Sequence, residues 1–210
     1  MAKTVVLARA RCADAEGFRR WLLTEHAPRR LAPLADRLVL QLATPAPDEA
    51  SLYDAVIELW SAAPLAAAIA ADAALAGHAE LDIRASEEVI AKDERGGIAA
   101  GATPGLSQLS FTRPIEGMAR EETLRHWSEH IPLACAIHVG MNRYVQDRLA
   151  PGADGAAPWF GMAHLHFPDD ATLRDGLFRT PEDIAAITAD VAEFVGGYAT
   201  MLATEHVIKA

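Results

Sequence analysis

The sequence predicts an α+β fold: two ferredoxin-like β-α-β-β-α-β halves packed sheet to sheet as a pseudo-dimeric α+β barrel. Two observations lead to this prediction. The chain repeats itself, since Glu25–Pro28 (EHAP) corresponds to Glu129–Pro132 (EHIP) and Tyr53–Trp60 (YDAVIELW) corresponds to Trp159–His166 (WFGMAHLH). A repeat of about a hundred residues is as long as a domain, which indicates two copies of one small fold. In each copy the order of strands and helices is ferredoxin-like, and the bare sheet face of one copy would cover that of the other.

In the first half, residues 3–10 are rich in β-forming side chains and predict a strand. Asp14 is a suitable cap for a helix that runs to about Glu25 and ends or changes direction at Pro28. The remaining elements follow from apolar runs, turn residues and helix-forming alanines. They are strands over 38–42 and 53–60, a turn-rich loop over 44–48, a helix over 63–74, a short polar helix around 78–83 and a strand over 87–92.

The second half repeats this order. Its predicted elements are a strand over 106–113, a helix over 120–129, strands over 143–149 and 159–167, a helix over 171–178, a helix that begins at Pro181, and a strand over 202–209. Between the halves, the stretch 93–105 (DERGGIAAGATPG) is rich in glycine and small residues, which is typical of a linker. We therefore divide the chain into a half over 1–95, a linker over 96–105 and a half over 106–210.

Composition excludes several classes of function. The 210 residues are 51% hydrophobic and carry a formal net charge of −10, which argues against a nucleic-acid partner because phosphates require a basic surface. No run of roughly 18 apolar residues predicts a helix through a membrane, and the N-terminus lacks a secretory cleavage pattern. Two cysteines are too few for a disulfide framework, so we expect a cytoplasmic protein with reduced thiols.

Alternation along two equivalent strands predicts the wall of a lumen. Side chains on a strand point in turn to opposite faces, so the polar residues of each strand share a face. These faces carry Val56, Glu58 and Trp60 on one strand and Met162, His164 and His166 on its counterpart. An unpaired Glu or His under packed helices would be costly, so we expect these residues to face an enclosed lumen that accepts a small molecule.

Several short motifs resemble those of a known family. They are Trp127 followed by His130–Leu133 (HIPL), the strand motif Arg143–Gln146 (RYVQ) and, in the first half, Ile57–Trp60 (IELW). With these residues the chain resembles the EthD family of dimeric α+β barrel proteins, with about one EthD unit in each half. The second half departs from the family pattern, because it has His164–His166 (HLH) where the family usually carries Glu-Leu-Trp.

The resemblance implies a fold and a pocket rather than one reaction. The wider superfamily includes cofactor-free monooxygenases, polyketide cyclases, dehydratases, isomerases and haem-dependent enzymes. Haem usually requires an axial histidine, and nothing in this sequence marks one. The resemblance therefore favours a small-molecule enzyme that needs neither cofactor nor metal.

We expect acid–base catalysis on a small hydrophobic metabolite, aromatic or polyketide-like, by a lyase or dehydratase, an isomerase or a cyclase. Burial should raise the pKa of Glu58 and lower that of His164, which brings both toward the working pH. The candidate catalytic residues are Glu58, His164, His166, His26 and His130. The candidate substrate contacts are Trp60, Tyr144, Met162, Val56 and Asn142.

Alternatives stay open at this point. The same pocket would suit a binding or accessory protein without catalysis. His164 and His166 have the spacing of two metal ligands on one strand, which would make the protein a metal-binding barrel. His26 and His130 end the first helix of each copy, where a structural role is equally consistent with the repeat. Because the two halves complete the barrel within one chain, a homodimer is allowed but not required.

Overall fold

The computed structural model describes residues 1–45, 50–97 and 99–210. Residues 46–49 of the predicted loop 44–48 and residue 98 of the predicted linker lie outside this description. The strands are β1 (Ala2–Ala10), β2 (Arg37–Ala43), β3 (Ala55–Ser61), β4 (Ala79–Asp93), β5 (Gly101–Ala102), β6 (Leu106–Pro114), β7 (Arg143–Leu149), β8 (Gly161–Phe167) and β9 (Val195–Lys209). The helices are α1 (Ala15–Trp21), α2 (Ala66–Ala70), α3 (Ala73–His78), α4 (Arg120–Glu129), α5 (Ile131–Ile137), α6 (Asp170–Gly176) and α7 (Pro181–Val191).

Eight of these strands close into an antiparallel barrel. Their order is β2-β3-β1-β4-β7-β8-β6-β9, and β9 returns to pair with β2. The first four strands are the sheet of one ferredoxin-like half, and the last four are the sheet of the other. The predicted α+β barrel of two such halves is therefore confirmed. The domain boundaries at 95 and 106 stay a prediction.

Two long strands join the halves. β4 pairs with β1 through residues 79–86 and with β7 through residues 86–93. In the same way β9 pairs with β6 through its first part and with β2 through its second part. The short helix predicted around 78–83 is wrong, because these residues exchange backbone hydrogen bonds with β1 and continue the strand. Both long strands begin earlier than predicted, because each pairs with one strand of its own half and with one strand of the other half.

The helices cover the outside of the barrel. Asp14 caps α1 as predicted, accepting a hydrogen bond from the backbone of Gly17. The chain then continues through π-helical turns over Leu22–Leu31, so Pro28 lies within the helical segment rather than at its end. α5 was not predicted, although Pro132 suits its first turn because a backbone N–H has no helical partner there. None of the helices in the described ranges is long and apolar enough to cross a membrane.

The part of the chain that the structure describes has three large buried apolar regions and a small one formed by Val39, Trp60 and Val207. One lies between the first half's sheet and its helices, and another lies in the same position in the second half. The third fills one end of the barrel from inside and contains Val5, Leu7, Ala43, Tyr53, Val56, Leu109, Phe111, Leu149, Met162, Met201 and Ala203. The other end of the barrel is lined by charged and polar side chains, and the candidate site lies there.

Candidate functional site

The inner faces of β3 and β8 lie where the alternation of their sequences predicts. Glu58 and His164 are 1% and 0% exposed, and His166 is 1% exposed. They lie inside the barrel together with Val56, Trp60 and Met162. Burial of this kind removes bulk water from the ionisable groups, so their charges depend on the side chains around them.

Side chains meet inside the barrel, where the sequence predicts an enclosed lumen. The polar groups near the centre contact one another directly. A cavity of about 510 Å³, here called the mouth cavity, lies at the polar end of the barrel and is lined by Arg37, Asp93, Gly96, Gly97 and Ala210. Another cavity, of about 610 Å³, lies beside α6 and β9. The mouth cavity borders the polar interior, because its lining residue Asp93 contacts Arg143.

Lys3 is the centre of one buried cluster. Its Nζ lies 2.7 Å from Glu58 Oε1, 2.9 Å from Glu88 Oε1 and 2.7 Å from Asp147 Oδ1. Ser86 Oγ donates a further hydrogen bond of 2.7 Å to Asp147. The oxygens of the three carboxylates lie close enough together to hold a metal ion. The lysine ammonium already supplies the positive charge at their centre, so this cluster is a completed ion network.

The charges of this cluster correct the expectation for Glu58. Burial alone would raise the pKa of Glu58, but Lys3 beside it lowers that pKa to about 2. Burial alone would likewise lower the pKa of Lys3, whereas Asp147 and the other two carboxylates raise it above its ordinary value. Burial raises the pKa of Asp147 to about 6 against the opposing effect of Lys3, and Glu58 adds to the increase. Glu58 is therefore held as a carboxylate, and burial makes Asp147 the more readily protonated of the two.

The equivalent positions related by the repeat form a second cluster, in which three of the four residue types differ and one glutamate is kept. Lys3 pairs with Trp60 in the ladder, and Ser107 pairs with His166, so Ser107 occupies the position of Lys3. By the same register, His164 corresponds to Glu58. The remaining two equivalences place Gln41 where the first cluster has Asp147 and Glu205 where it has Glu88. The second cluster thus lacks the central ammonium and contains imidazoles instead.

His164 is held in one tautomer by its two partners. Arg143 Nη1 lies 3.2 Å from Nδ1, and Ser107 Oγ lies 2.8 Å from Nε2. A guanidinium can only donate, so Nδ1 accepts and the ring proton is on Nε2, which donates to Ser107. Burial, reinforced by the positive charge of Arg143, lowers the pKa of His164 to about 3. His164 is therefore neutral and positioned, and its Nε2 has no lone pair with which to activate Ser107.

The same contacts argue against the metal site proposed from the His-x-His spacing. The Nδ1 lone pair of His164 is directed at a guanidinium, and the other ring nitrogen carries the proton. A cation at Nδ1 would have to replace Arg143, whose charge repels it. The two histidines thus share a strand face without offering a common ligand position.

Glu205 carries the negative charge of the second cluster. It accepts hydrogen bonds of 2.6 Å from Arg95, 2.8 Å from Thr103 and 3.0 Å from Gln41. Burial alone would raise its pKa, but the permanent charges of Arg95 and Arg143 and the hydrogen bond from Thr103 keep it below its ordinary value. The segment that follows β4 therefore contributes directly to the site through Arg95 and Thr103.

His166 has a free acceptor. Its Nδ1 lies 2.8 Å from Asn142 Oδ1, which can only accept, so Nδ1 carries the ring proton. Its Nε2 is buried and has no hydrogen-bond partner among the residues that the structure describes. Burial lowers the pKa of His166 below its ordinary value. The imidazole is consequently neutral, oriented by Asn142, and has an unused lone pair.

Three predicted site residues lie outside the barrel. Tyr144 alternates with Arg143 along β7 and packs under the helices, where its hydroxyl accepts a hydrogen bond from Gln146. His26 lies 3.0 Å from Asp72 in the helix layer of the first half. His130 contacts Asp190 in the helix layer of the second. The helix ends are on the far side of the sheet, so neither histidine reaches the interior, and each lies beside a carboxylate of its own helix layer.

Sequence reasoning missed several residues that form the site. They are Lys3, Arg95, Ser107, Arg143, Asp147 and Glu205. Five of these residues lie on inner strand faces, but no inward residue was predicted on β1, β6 or β9, and on β7 the predicted residue was Tyr144, which lies on the face opposite Arg143 and Asp147. No local signal identifies Arg95, which follows β4 and reaches Glu205, 110 positions away in the sequence.

Comparison with known proteins supports this architecture. Residues 115–197 match the family model of the EthD domain. The whole chain aligns with 94% of an anthrone oxidase-like protein at 13% identity and a TM-score of 0.66. It also aligns with two proteins described as a "putative monooxygenase". The one from Fusobacterium nucleatum has 12% identity and a TM-score of 0.58, with 99% of this chain and 93% of that chain covered.

The second protein described as a "putative monooxygenase" is from Lactobacillus acidophilus NCFM. It has 10% identity and a TM-score of 0.54, with 100% of this chain and 97% of that chain covered. At such identities the likeness shows a shared fold and leaves the chemistry of this chain undetermined. No curated protein sequence matches the chain.

Proposed function

We propose that this chain, whose second half contains an EthD domain, is a cofactor-independent enzyme that removes a proton from a small hydrophobic metabolite at the polar end of its barrel. The substrate is an aromatic or polyketide-like molecule with an acidic C–H or O–H group. The reaction that follows is an elimination, an isomerisation or a cyclisation. Reaction of the substrate anion with dioxygen, as in a monooxygenase, begins with the same proton transfer.

The observation that carries this proposal is the unpartnered Nε2 of His166. Buried polar atoms in proteins nearly always have a hydrogen-bond partner, so a buried free lone pair is an exception that needs an explanation. A neutral imidazole that is fixed by a hydrogen bond at Nδ1 is the usual form of a general base. His166 would take the proton on Nε2, and Asn142 would hold the ring in the productive orientation.

Two arginines support the same chemistry. Removal of the proton leaves an enolate or phenolate, which needs nearby positive charge. Arg143 is the ladder neighbour of His166, and Arg95 reaches Glu205 at the same end of the barrel. The Lys3 cluster on the other side of the interior has three carboxylates around one ammonium, so its excess negative charge would oppose a substrate anion. We therefore assign the reaction to the second cluster and a structural role to Glu58.

The test is deuterium exchange rather than product formation. Purified protein is incubated in D₂O with a panel of hydroxylated aromatics and aromatic ketones, and exchange at carbon is followed by NMR. We expect His166→Gln to reduce the exchange rate by about 10²-fold or more, the usual contribution of a general base. His206→Gln serves as the matched control, because His206 lies on the outer face of β9 next to Thr204.

Exchange that persists at the wild-type rate in His166→Gln would remove this residue from the mechanism. The absence of exchange with every probe, together with ligand-induced increases in melting temperature, would favour the alternative function of a binding or accessory protein. That alternative has one observation in its favour, namely that side chains already occupy the interior. Oxygen consumption measured in the same samples would separate a monooxygenase from the other reaction types.

A further inference from the structure

Arg37 lies at the mouth of the barrel on an aromatic platform. Its guanidinium carbon is 4.2 Å from the centroid of the Trp60 ring, and Lys3 Nζ is 4.5 Å from the same centroid. Trp60 is itself fixed, because its Nε1 donates a hydrogen bond of 3.3 Å to Glu88. Stacking of this kind orients a guanidinium and leaves its N–H groups directed outward in its plane.

The counterpart of Arg37 in the second half lies among carboxylates, although its buried Nε, like that of Arg37, makes no hydrogen bond. Arg143 lies within ion-pair distance of Glu88, Asp93 and Glu205 and also contacts His164. The side chain of Arg37, by contrast, forms no hydrogen bond or ion pair with any residue in the ranges 1–45, 50–97 and 99–210. Its Nε is buried and without a partner. The repeat thus contains two equivalent arginines. Arg143 belongs to an ion-pair network, whereas the guanidinium N–H groups of Arg37 have no acceptor among the described residues.

The surroundings of Arg37 match a ligand rather than a missing internal partner. Arg37 lines the mouth cavity, whose volume of about 510 Å³ lies within the usual range for small-molecule sites. Asp93, on the cavity wall, is compensated by Arg95 and Arg143. The glycines at 96 and 97 add backbone without side chains. The cavity therefore has room for a planar molecule that places an anionic group against the guanidinium.

We infer that Arg37 binds the carboxylate of a planar aromatic substrate in the mouth cavity. An Arg–carboxylate contact uses two parallel N–H···O hydrogen bonds, which the guanidinium N–H groups of Arg37 can supply. The identification of this ligand as the substrate rests on the proposed function, whereas carboxylate binding by Arg37 rests on the mouth cavity alone. Arg37 would then determine specificity, selecting aromatic acids over neutral aromatics of the same size.

The experiment compares two probes that differ in the carboxylate, 1-hydroxy-2-naphthoate and 1-naphthol, by isothermal titration calorimetry. The wild type should bind the acid at least tenfold more tightly than the neutral naphthol. Arg37→Gln should lose this preference and leave the affinity for naphthol unchanged. Arg37→Lys, which keeps the positive charge without the paired N–H groups, should show an intermediate preference for the acid. Arg29→Gln is the control, because that arginine is exposed on the helix layer.

Equal affinities for the two probes in the wild type, failure of both to bind, or a preference that survives in Arg37→Gln would overturn the inference. Thermal melting of each variant establishes that it is folded. The proposed function has a separate readout, since deuterium exchange depends on His166. Exchange that requires His166 without any carboxylate preference would retain the function and reject the role of Arg37. Carboxylate preference without exchange would retain the role of Arg37 and reject the proposed function.

Discussion

Replacement of His164 by glutamine should change how stability depends on pH. In the folded protein, burial and Arg143 lower the pKa of this histidine from 6.5 to about 3. The unfolded chain therefore binds a proton near pH 6.5 that the folded chain does not bind until about pH 3. Because the folded pKa is the lower one, this histidine's contribution to stability is complete above pH 6.5 and is lost as the pH falls.

The magnitude follows from the two pKa values. Each pH unit between them costs about 1.4 kcal/mol of the free energy of unfolding. At pH 5 the unfolded imidazole is almost fully protonated and the folded one is still neutral, so the wild type loses about 2 kcal/mol relative to pH 7 from this residue. His164→Gln has no such proton. The difference in free energy of unfolding between wild type and variant should therefore shift by about 2 kcal/mol between these pH values.

Urea denaturation at pH 5, 7 and 9, followed by circular dichroism, measures this difference directly. Comparison of the two proteins at each pH cancels the titration of other groups, including Asp147, whose raised pKa of about 6 acts in the opposite direction. Between pH 7 and 9 the difference should stay constant, because the imidazole is neutral in both states. A difference that is also constant between pH 7 and 5 would refute the assignment of His164 as a buried neutral imidazole.

Two further variants test the division between structural and functional residues. Lys3→Met leaves Glu58, Glu88 and Asp147 without their ammonium. We expect a loss of about 3–5 kcal/mol in the free energy of unfolding, measured by urea denaturation. A loss below about 1 kcal/mol would show that the cluster is not a coupled ion network. Tyr144→Phe removes a hydroxyl in the helix layer, so the free energy of unfolding should fall by about 1 kcal/mol while the rate of deuterium exchange remains unchanged. A large loss of exchange would show that Tyr144 takes part in the reaction.

The interpretation of Glu58 shows what local reasoning can miss. Its position on the inner face of β3 follows from alternation, since Val56 and Trp60 on either side are inward as well. Its protonation does not follow from burial, because the decisive neighbour is Lys3, 55 positions earlier in the sequence. A lysine near the N-terminus has no local feature that marks it as a partner of Asp147, from which it is separated by 144 positions.

The sequence by itself determined the repeat, the ferredoxin-like order of each half and the inward faces of β3 and β8. These features depend on local periodicity and on similarity between the halves, both of which are visible in one dimension. Tertiary structure decided how far β4 and β9 extend, which charges meet inside the barrel, and which nitrogen of His166 is free. Barrel closure is the physical reason, because it brings together side chains from strands that are distant in sequence, and in a buried interior those neighbours control protonation and hydrogen bonding.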